Sequence, residues 1–411
     1  MTTVRHQPFI ESLARLEPDT LEWRSLLSGL LVLRLADTVR EQGRSLVDAD
    51  WAGVYSIRET VNSVNEGDPV RGVLSRLLDE LGSPDYNTRD FATGLLSYGR
   101  ALDYAGKWNL AADVFGTAAE FSPPRVDPRV AVEALSALGA AARRAGDWEQ
   151  SSAGYASASH IAETVGDFAG MLRVQVGMAN THAARGNFPA AEEILTRVVA
   201  EASASHLEDV AAVALHTRAS VAHGRGKYAD AVRLGYEALK LTTNANSRDG
   251  ILADIAACFQ ELGMRESARD AHLIVAATSQ DQWVRWQATL NLMELASTDG
   301  MQEAFDSYAS ELAGASLSPN WRAYFYLYLG QGHERFGRYE LAVENLTLAV
   351  GYAAEHQIHR VTIDAEQALS AMAAGERKRA RAEKYVEPSY SGEVNEVALA
   401  ISEMRRTAFA Q

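Results

Sequence analysis

Between Phe91 and Pro124 the chain reads FATGLLSYGRALDYAGKWNLAADVFGTAAEFSPP, and this stretch decides the fold. Leu95, Tyr98, Gly99 and Leu102 recur at helical spacing before Gly106, and Ala111, Phe115 and Ala118 form a matching face after it. Glycine can take the left-handed conformation that ends one helix and lets the next fold back. Pro123-Pro124 then ends the second helix. The segment is therefore read as two antiparallel helices joined by a tight turn.

The same turn returns along the chain as Gly186-Asn187-Phe188 with Ala191, Gly226-Lys227-Tyr228 with Ala231, and Gly337-Arg338-Tyr339 with Ala342. Gly146-Asp147-Trp148 keeps the aromatic but has Ser151 in the alanine place, and Gly263 keeps Ala268 but has Arg265 in the aromatic place. The copy at Gly300 lacks the aromatic, and its Ala304 comes one residue early. Gly106, Gly146, Gly186 and Gly226 stand 40 residues apart, and Gly226, Gly263, Gly300 and Gly337 stand 37 apart. Weaker copies extend the ladder to Gly67 and to Gly375. The second repeat carries Leu135, Leu138, Gly139 and Ala142, then Tyr155 and Ala158. Such regularity marks a repeat architecture, in which each unit buries its face against its neighbours. The change of spacing after Gly226 predicts two sections of different curvature, joined near Thr242 to Arg248.

The pattern Leu95-Tyr98-Gly99-Leu102-Ala111-Phe115-Ala118-Pro123 resembles the tetratricopeptide consensus, with a period longer than the usual one, as in kinesin light chains and bacterial peptide-sensing regulators. The resemblance implies an all-α, right-handed superhelical solenoid of antiparallel helix pairs with N- and C-terminal capping helices. It divides the chain into an N-terminal helical region (1–84), a solenoid of about seven repeats (85–375) and a C-terminal partial repeat with a capping helix (376–411). Helices are expected over 21–43, 49–65 and 69–82, either as a cap or as a separate three-helix bundle. The Rap-type regulators have that second layout. Val394, Val397, Ala398, Ile401 and Met404 form one face of the last expected helix.

Composition narrows the function classes. A net charge of −15 argues against a general nucleic-acid or anionic-membrane binder. The basic run Arg377, Lys378, Arg379, Arg381 and Lys384 reads as a solvated face. The apolar stretch Leu26–Leu33 is too short to span a bilayer, and no secretory signal is visible, so the chain reads as cytoplasmic. Cys258 is the one cysteine and sits in an apolar helical stretch, which points to a buried thiol. Gly226-Lys227 and Gly106-Lys107 lack the upstream glycine and the following hydroxyl of a phosphate loop. Gly330-Gln331-Gly332 has Arg335 where a dinucleotide fingerprint needs glycine. No catalytic set, cofactor or metal site is expected, and His216 and His223 read as exposed histidines on one helix face.

In proteins with these repeats the first helix of each pair lines a concave surface. Carried onto this chain, that surface includes Arg100, Arg143, Arg144, Arg173, Asn180, His216, His223, Gln260, Glu294 and Gln331, with basic residues in the early repeats and acidic ones in the late repeats. Arg173 and Asn180 stand without the rest of a carboxylate-clamp set. Trp321, Tyr324 and Tyr328, near Trp283 and Trp286, suit either a partner contact or the packing of a solenoid joint. The expected partner is a protein or peptide, held by a non-catalytic scaffold or by a peptide-responsive regulator whose N-terminal helices act elsewhere.

Overall fold

A computed structural model describes residues 5–42, 52–83, 86–375, 385–390 and 392–409. The basic run at 377–384 lies outside them. Twenty helices appear among the described residues: α1 (Gln7–Leu13), α2 (Leu21–Gln42), α3 (Ala52–Asn62), α4 (Pro69–Leu81), α5 (Thr88–Tyr104), α6 (Trp108–Glu120), α7 (Pro128–Ala145), α8 (Trp148–Val165), α9 (Phe168–Ala184), α10 (Phe188–Ala204), α11 (Glu208–Gly224), α12 (Tyr228–Leu241), α13 (Ala245–Glu261), α14 (Arg265–Thr278), α15 (Gln282–Thr298), α16 (Gln302–Ala313), α17 (Pro319–Arg335), α18 (Tyr339–Glu355), α19 (His359–Ala373) and α20 (Glu393–Phe409). From α5 onward the odd-numbered helices (A helices) alternate with even-numbered ones (B helices), and the protein is an all-α repeat of helix hairpins. The chain forms two compact units, 1–198 and 199–411, with the division inside α10. The segment from Thr242 to Arg248, where the glycine spacing changes, runs from the end of α12 into α13 within the second unit.

The ladder is a set of identical helix stops. Gly106, Gly146, Gly186, Gly226, Gly263, Gly300, Gly337 and Gly375 all have φ between 72° and 81°. After each of the first seven, the next backbone N–H donates back to a carbonyl five residues earlier, as from Lys107 to Leu102 and from Met264 to Phe259. Gly67 is not a rung: its φ is not positive, and α4 starts instead on the Asp68 side-chain cap. The same closure also ends three B helices, at Gly166, His206 and Gln357, where sequence spacing showed no ladder.

Small residues set the approach of the helices. Ala111, Ala191, Ala231, Ala268 and Ala342, five after their glycines, are at most 1% exposed. Buried Ser151 replaces alanine in the second repeat and shares a hydrogen bond of 3.2 Å with Thr181. At Gly300 the fifth place holds Phe305, fully buried, and Gly332 on α17 makes room for it: a Cβ there would stand 2.2 Å from the ring. A glycine in the A helix likewise receives the large residue of the B helix sixteen positions later, Phe115 on Gly99, Tyr155 on Gly139 and Leu346 on Gly330. The change from 40 to 37 is confined to the B side. The A helices α5 to α17 hold 17 or 18 residues, while α8 and α10 have 18 and 17 and α12 and α14 have 14 each; α6 has 13 and makes up its spacing in the longer connection, 121–127, to α7.

At the N-terminus, Phe9, Leu26, Leu33, Leu74 and Leu77 share one apolar core with Phe91, Leu95, Tyr98 and Phe115 of the first repeat. The helix α1 was not foreseen. It docks through ions: His6 is 3% exposed and sits 2.7 Å from Asp113 and 3.0 Å from Asp37, and Arg5 bridges Asp37 and Glu120. Burial alone would lower the His6 pKa, but bonding and charge from Asp113 and then Asp37 outweigh it and raise it.

The C-terminal end corrects an expectation. The apolar face of α20 is buried as foreseen, but α20 does not close the end of the stack on α19. It turns back to pack on the B helices α12 and α14, placing Val394, Val397 and Ile401 in the core of those repeats. The physical reason is a groove between two short B helices that takes one more apolar stripe.

Candidate functional site

The A helices carry the residues expected to meet a partner, and five of those thirteen, Arg100, Arg144, His216, Gln260 and Glu294, are tied to a neighbouring A helix. In the first unit Arg100 on α5 pairs with Glu133 on α7, and Arg144 on α7 reaches both oxygens of Asp103 on α5 at 2.5 and 2.7 Å. Arg143 is half-buried beside the Tyr155 phenol. Burial pushes that phenol up, with Arg143 pulling it part of the way back. Arg173 is exposed on α9, and Asn180 is half-buried on the same helix.

In the second unit the bracing continues from α11 to α17. His216 Nε2 meets Asp254 Oδ2 at 2.7 Å, and Gln260 donates to Glu294 at 3.4 Å. Arg335 lies 3.9 Å from Glu294 and donates to Ser297 at 2.6 Å. Burial raises the Glu294 pKa, opposed by Arg335. His272, beside Gln260, is wholly buried and pushed down to about 4 by desolvation, so it is neutral. Gln331 is half-buried.

Trp321, Tyr324 and Tyr328 are half-buried and stack in sequence, with ring centroids 6.0 and 5.7 Å apart. They pack against the cores of the last hairpins, Tyr324 and Tyr328 against two cores at once. The joint between hairpins therefore accounts for their position. Trp283 and Trp286 meet edge to face at 5.2 Å.

One place on the A side is concave and apolar. A cleft of about 170 Å³ opens between α11 and α13, with His216, His223 and Asp254 at its mouth. Ala219, Gly235, Ile255 and Cys258 form its floor. Gly235 is needed there, since a Cβ would stand 2.9 Å from Ile255. His223 is held by an edge contact with Tyr228, ring centroids 5.3 Å apart. Burial pushes the Cys258 thiol up to about 12, which keeps it protonated and unreactive. The sequence reading found His216 and His223 but missed Asp254. The signal was present, because Asp254 follows His216 by 38 residues, one more than the local spacing of 37. A larger polar cleft of about 550 Å³ lies beside α1 and α6, lined by none of the expected residues.

Helix hairpins closed by a glycine rung, with an alanine five places on and a glycine seat for each large B-helix residue, define a tetratricopeptide-like repeat protein. Among family models, the C-terminal domain of suppressor of spindle checkpoint defect 1 matches residues 146–245. No curated protein matches the chain. Similar solved structures include the apo quorum sensor NprR from B. thuringiensis, 12% identical, covering 84% of this chain and 90% of that one at a TM-score of 0.47. NprR in complex with its cognate peptide NprX is 11% identical, covering 82% and 99% at 0.46. Apo RapI is 13% identical, covering 85% and 99% at 0.43. No helix among the described residues is long and apolar enough to cross a membrane.

Proposed function

We propose that the chain is a non-catalytic binding module for a peptide or protein segment, held on its A helices and anchored in the cleft between α11 and α13. The observation that carries this reading is the cleft itself. It is concave, apolar at the floor, and bordered by a fixed His216–Asp254 pair. Its volume suits one apolar side chain, and side chains seated in desolvated pockets supply most of the affinity of such interfaces. Exposed Asp254 offers an acceptor for a donor on the partner beside that anchor. Gln260, Glu294 and Gln331, on A helices of the same unit, offer polar contacts beside it.

Selection from a displayed random-peptide library tests the reading. The wild-type protein should enrich sequences that share an apolar anchor. Ala257 also lines the cleft, and Ala257→Trp, which fills it, should lose that enrichment with its melting curve unchanged. Equal enrichment by both proteins would remove the cleft from the proposal. The regulator with a releasable N-terminal bundle is the less favoured reading, because α2 and α4 share one core with the first repeat.

A further inference from the structure

The chain's own tail shows what the B side of the second unit binds. Residues 385–390 cross the turn at Gly263, and α20 follows along α12 and α14. The contacts are specific. The Tyr385 hydroxyl donates to the Gly263 carbonyl and accepts from the Arg265 N–H at 2.9 Å, with the Arg265 guanidinium 3.8 Å from the ring centre. Glu387 accepts from the Ser267 N–H at 3.1 Å, and Tyr390 donates to the Leu262 carbonyl at 2.8 Å. Together Tyr385 and Glu387 satisfy first-turn donors of α14, whose own N-cap residue, Met264, has no capping side chain. Val394, Val397 and Ile401 then enter the core at i, i+3 and i+7. Arg405 pairs with Asp270 at 3.0 Å and Glu393 with Arg233 at 3.3 Å.

Two features set this tail apart from a repeat helix. Its packing partners are α12 and α14, and not α19, which precedes it in the chain. Its seat is therefore independent of the helix it hangs from, and an identical tail from elsewhere would make every one of these contacts. An isolated helix of this length is also marginal in water, so the tail gains its order only on docking. We propose that the groove between α12 and α14 is a helix-docking site, filled in the monomer by residues 385–390 and 392–409 and open to the same tail of a second copy. The second copy is the fitting occupant because the groove reads this strap and this apolar stripe, and every copy carries both. Exchange of an identical element is a low-cost route to a closed dimer. The site is separate from the cleft between α11 and α13, so either can fail alone.

The test uses the full chain. Ile401→Asp should undock the tail and leave the groove vacant, and a fluorescein-labelled peptide of residues 385–411 should then bind at least tenfold more tightly than to wild type. Glu387→Ala combined with Arg405→Ala loosens the tail without a charge in the core and should give an intermediate affinity. The same peptide carrying Ile401→Asp should bind neither protein. Sedimentation after concentration in mild urea and removal of the urea should show dimer for wild type and none for Ile401→Asp. Failure of the peptide to bind both loosened proteins, with their helical content intact, would overturn the docking site. Peptide binding with wild type monomeric throughout would overturn the second copy as occupant and leave the groove to the chain's own tail.

Discussion

Replacing Gly177 with alanine should destabilise the first unit, while the same change at Gly116 should stabilise it. A Cβ on Gly177 would stand 2.3 Å from Cε1 and 2.6 Å from Cζ of Tyr155, where ordinary contact is 3.4–4 Å. The ring has no room to retreat. A Cβ at Gly139 would also lie 2.9–3.0 Å from it, so the ring fills the space between α7 and α9 and is 4% exposed. Over-packing costs about 1–3 kcal/mol, and a rigid ring walled on both sides belongs at the upper end. Helix propensity returns about 1 kcal/mol on replacing glycine with alanine, leaving a net loss near 2 kcal/mol. At Gly116, inside α6, nothing lies within 4 Å, and only the gain of about 1 kcal/mol remains. Urea unfolding followed by far-UV circular dichroism should separate the two variants by about 3 kcal/mol. Tyr155→Leu should make Gly177→Ala less costly than it is alone. Equal stability of the two alanine variants would refute the steric reasoning, because it would mean the ring moves freely.

Other outcomes follow from single groups. His6 has a raised folded-state pKa, so its stabilising contribution is complete below its unfolded value and is lost as pH rises through the folded one. The urea midpoint of the first unit should therefore fall from mildly acidic to mildly alkaline pH in wild type, with a smaller fall in His6→Gln. Cys258, pushed up to about 12, should resist a thiol reagent at mildly alkaline pH until the protein is denatured. Asp147 caps α8 by accepting from Gln150 N–H at 2.9 Å, and Asp147→Ala should cost about 1 kcal/mol in thermal or urea unfolding. Arg144→Ala breaks a part-exposed pair with Asp103 and should change stability by no more than about 1 kcal/mol.

The hairpins were legible because a glycine stop, an alanine and an aromatic at fixed offsets leave one local reading. The stops at His206 and Gln357 were not, since neither residue advertises a positive φ. At the Gly300 rung the fifth place was misread for another reason: the bulk of Phe305 is matched by Gly332, and such a swap is visible only once the two helices face each other. The face of α20 was legible from its spacing, but its seat was not. An amphipathic stripe says that something covers it and leaves open what. The expected partner-facing residues were placed on the A helices, yet Arg100–Glu133, Arg144–Asp103 and His216–Asp254 turn out to join neighbouring hairpins. A carboxylate 33 to 41 residues from an arginine or histidine was the available sign of that bracing.

The unequal B helices bear on how a chain of this kind can grow. One row keeps its length from α5 to α17 while the other varies between 12 and 18 residues. The step from a 40-residue to a 37-residue spacing removes three residues, close to one turn of about 3.6. A deletion of that size shortens a B helix yet keeps its apolar stripe facing nearly the same way. Length can thus be gained or lost on one margin without rewriting the other, as a hem is let out while the seam holds. Hairpins of either size become interchangeable parts, and a graft of one for the other should leave the row of A helices in register.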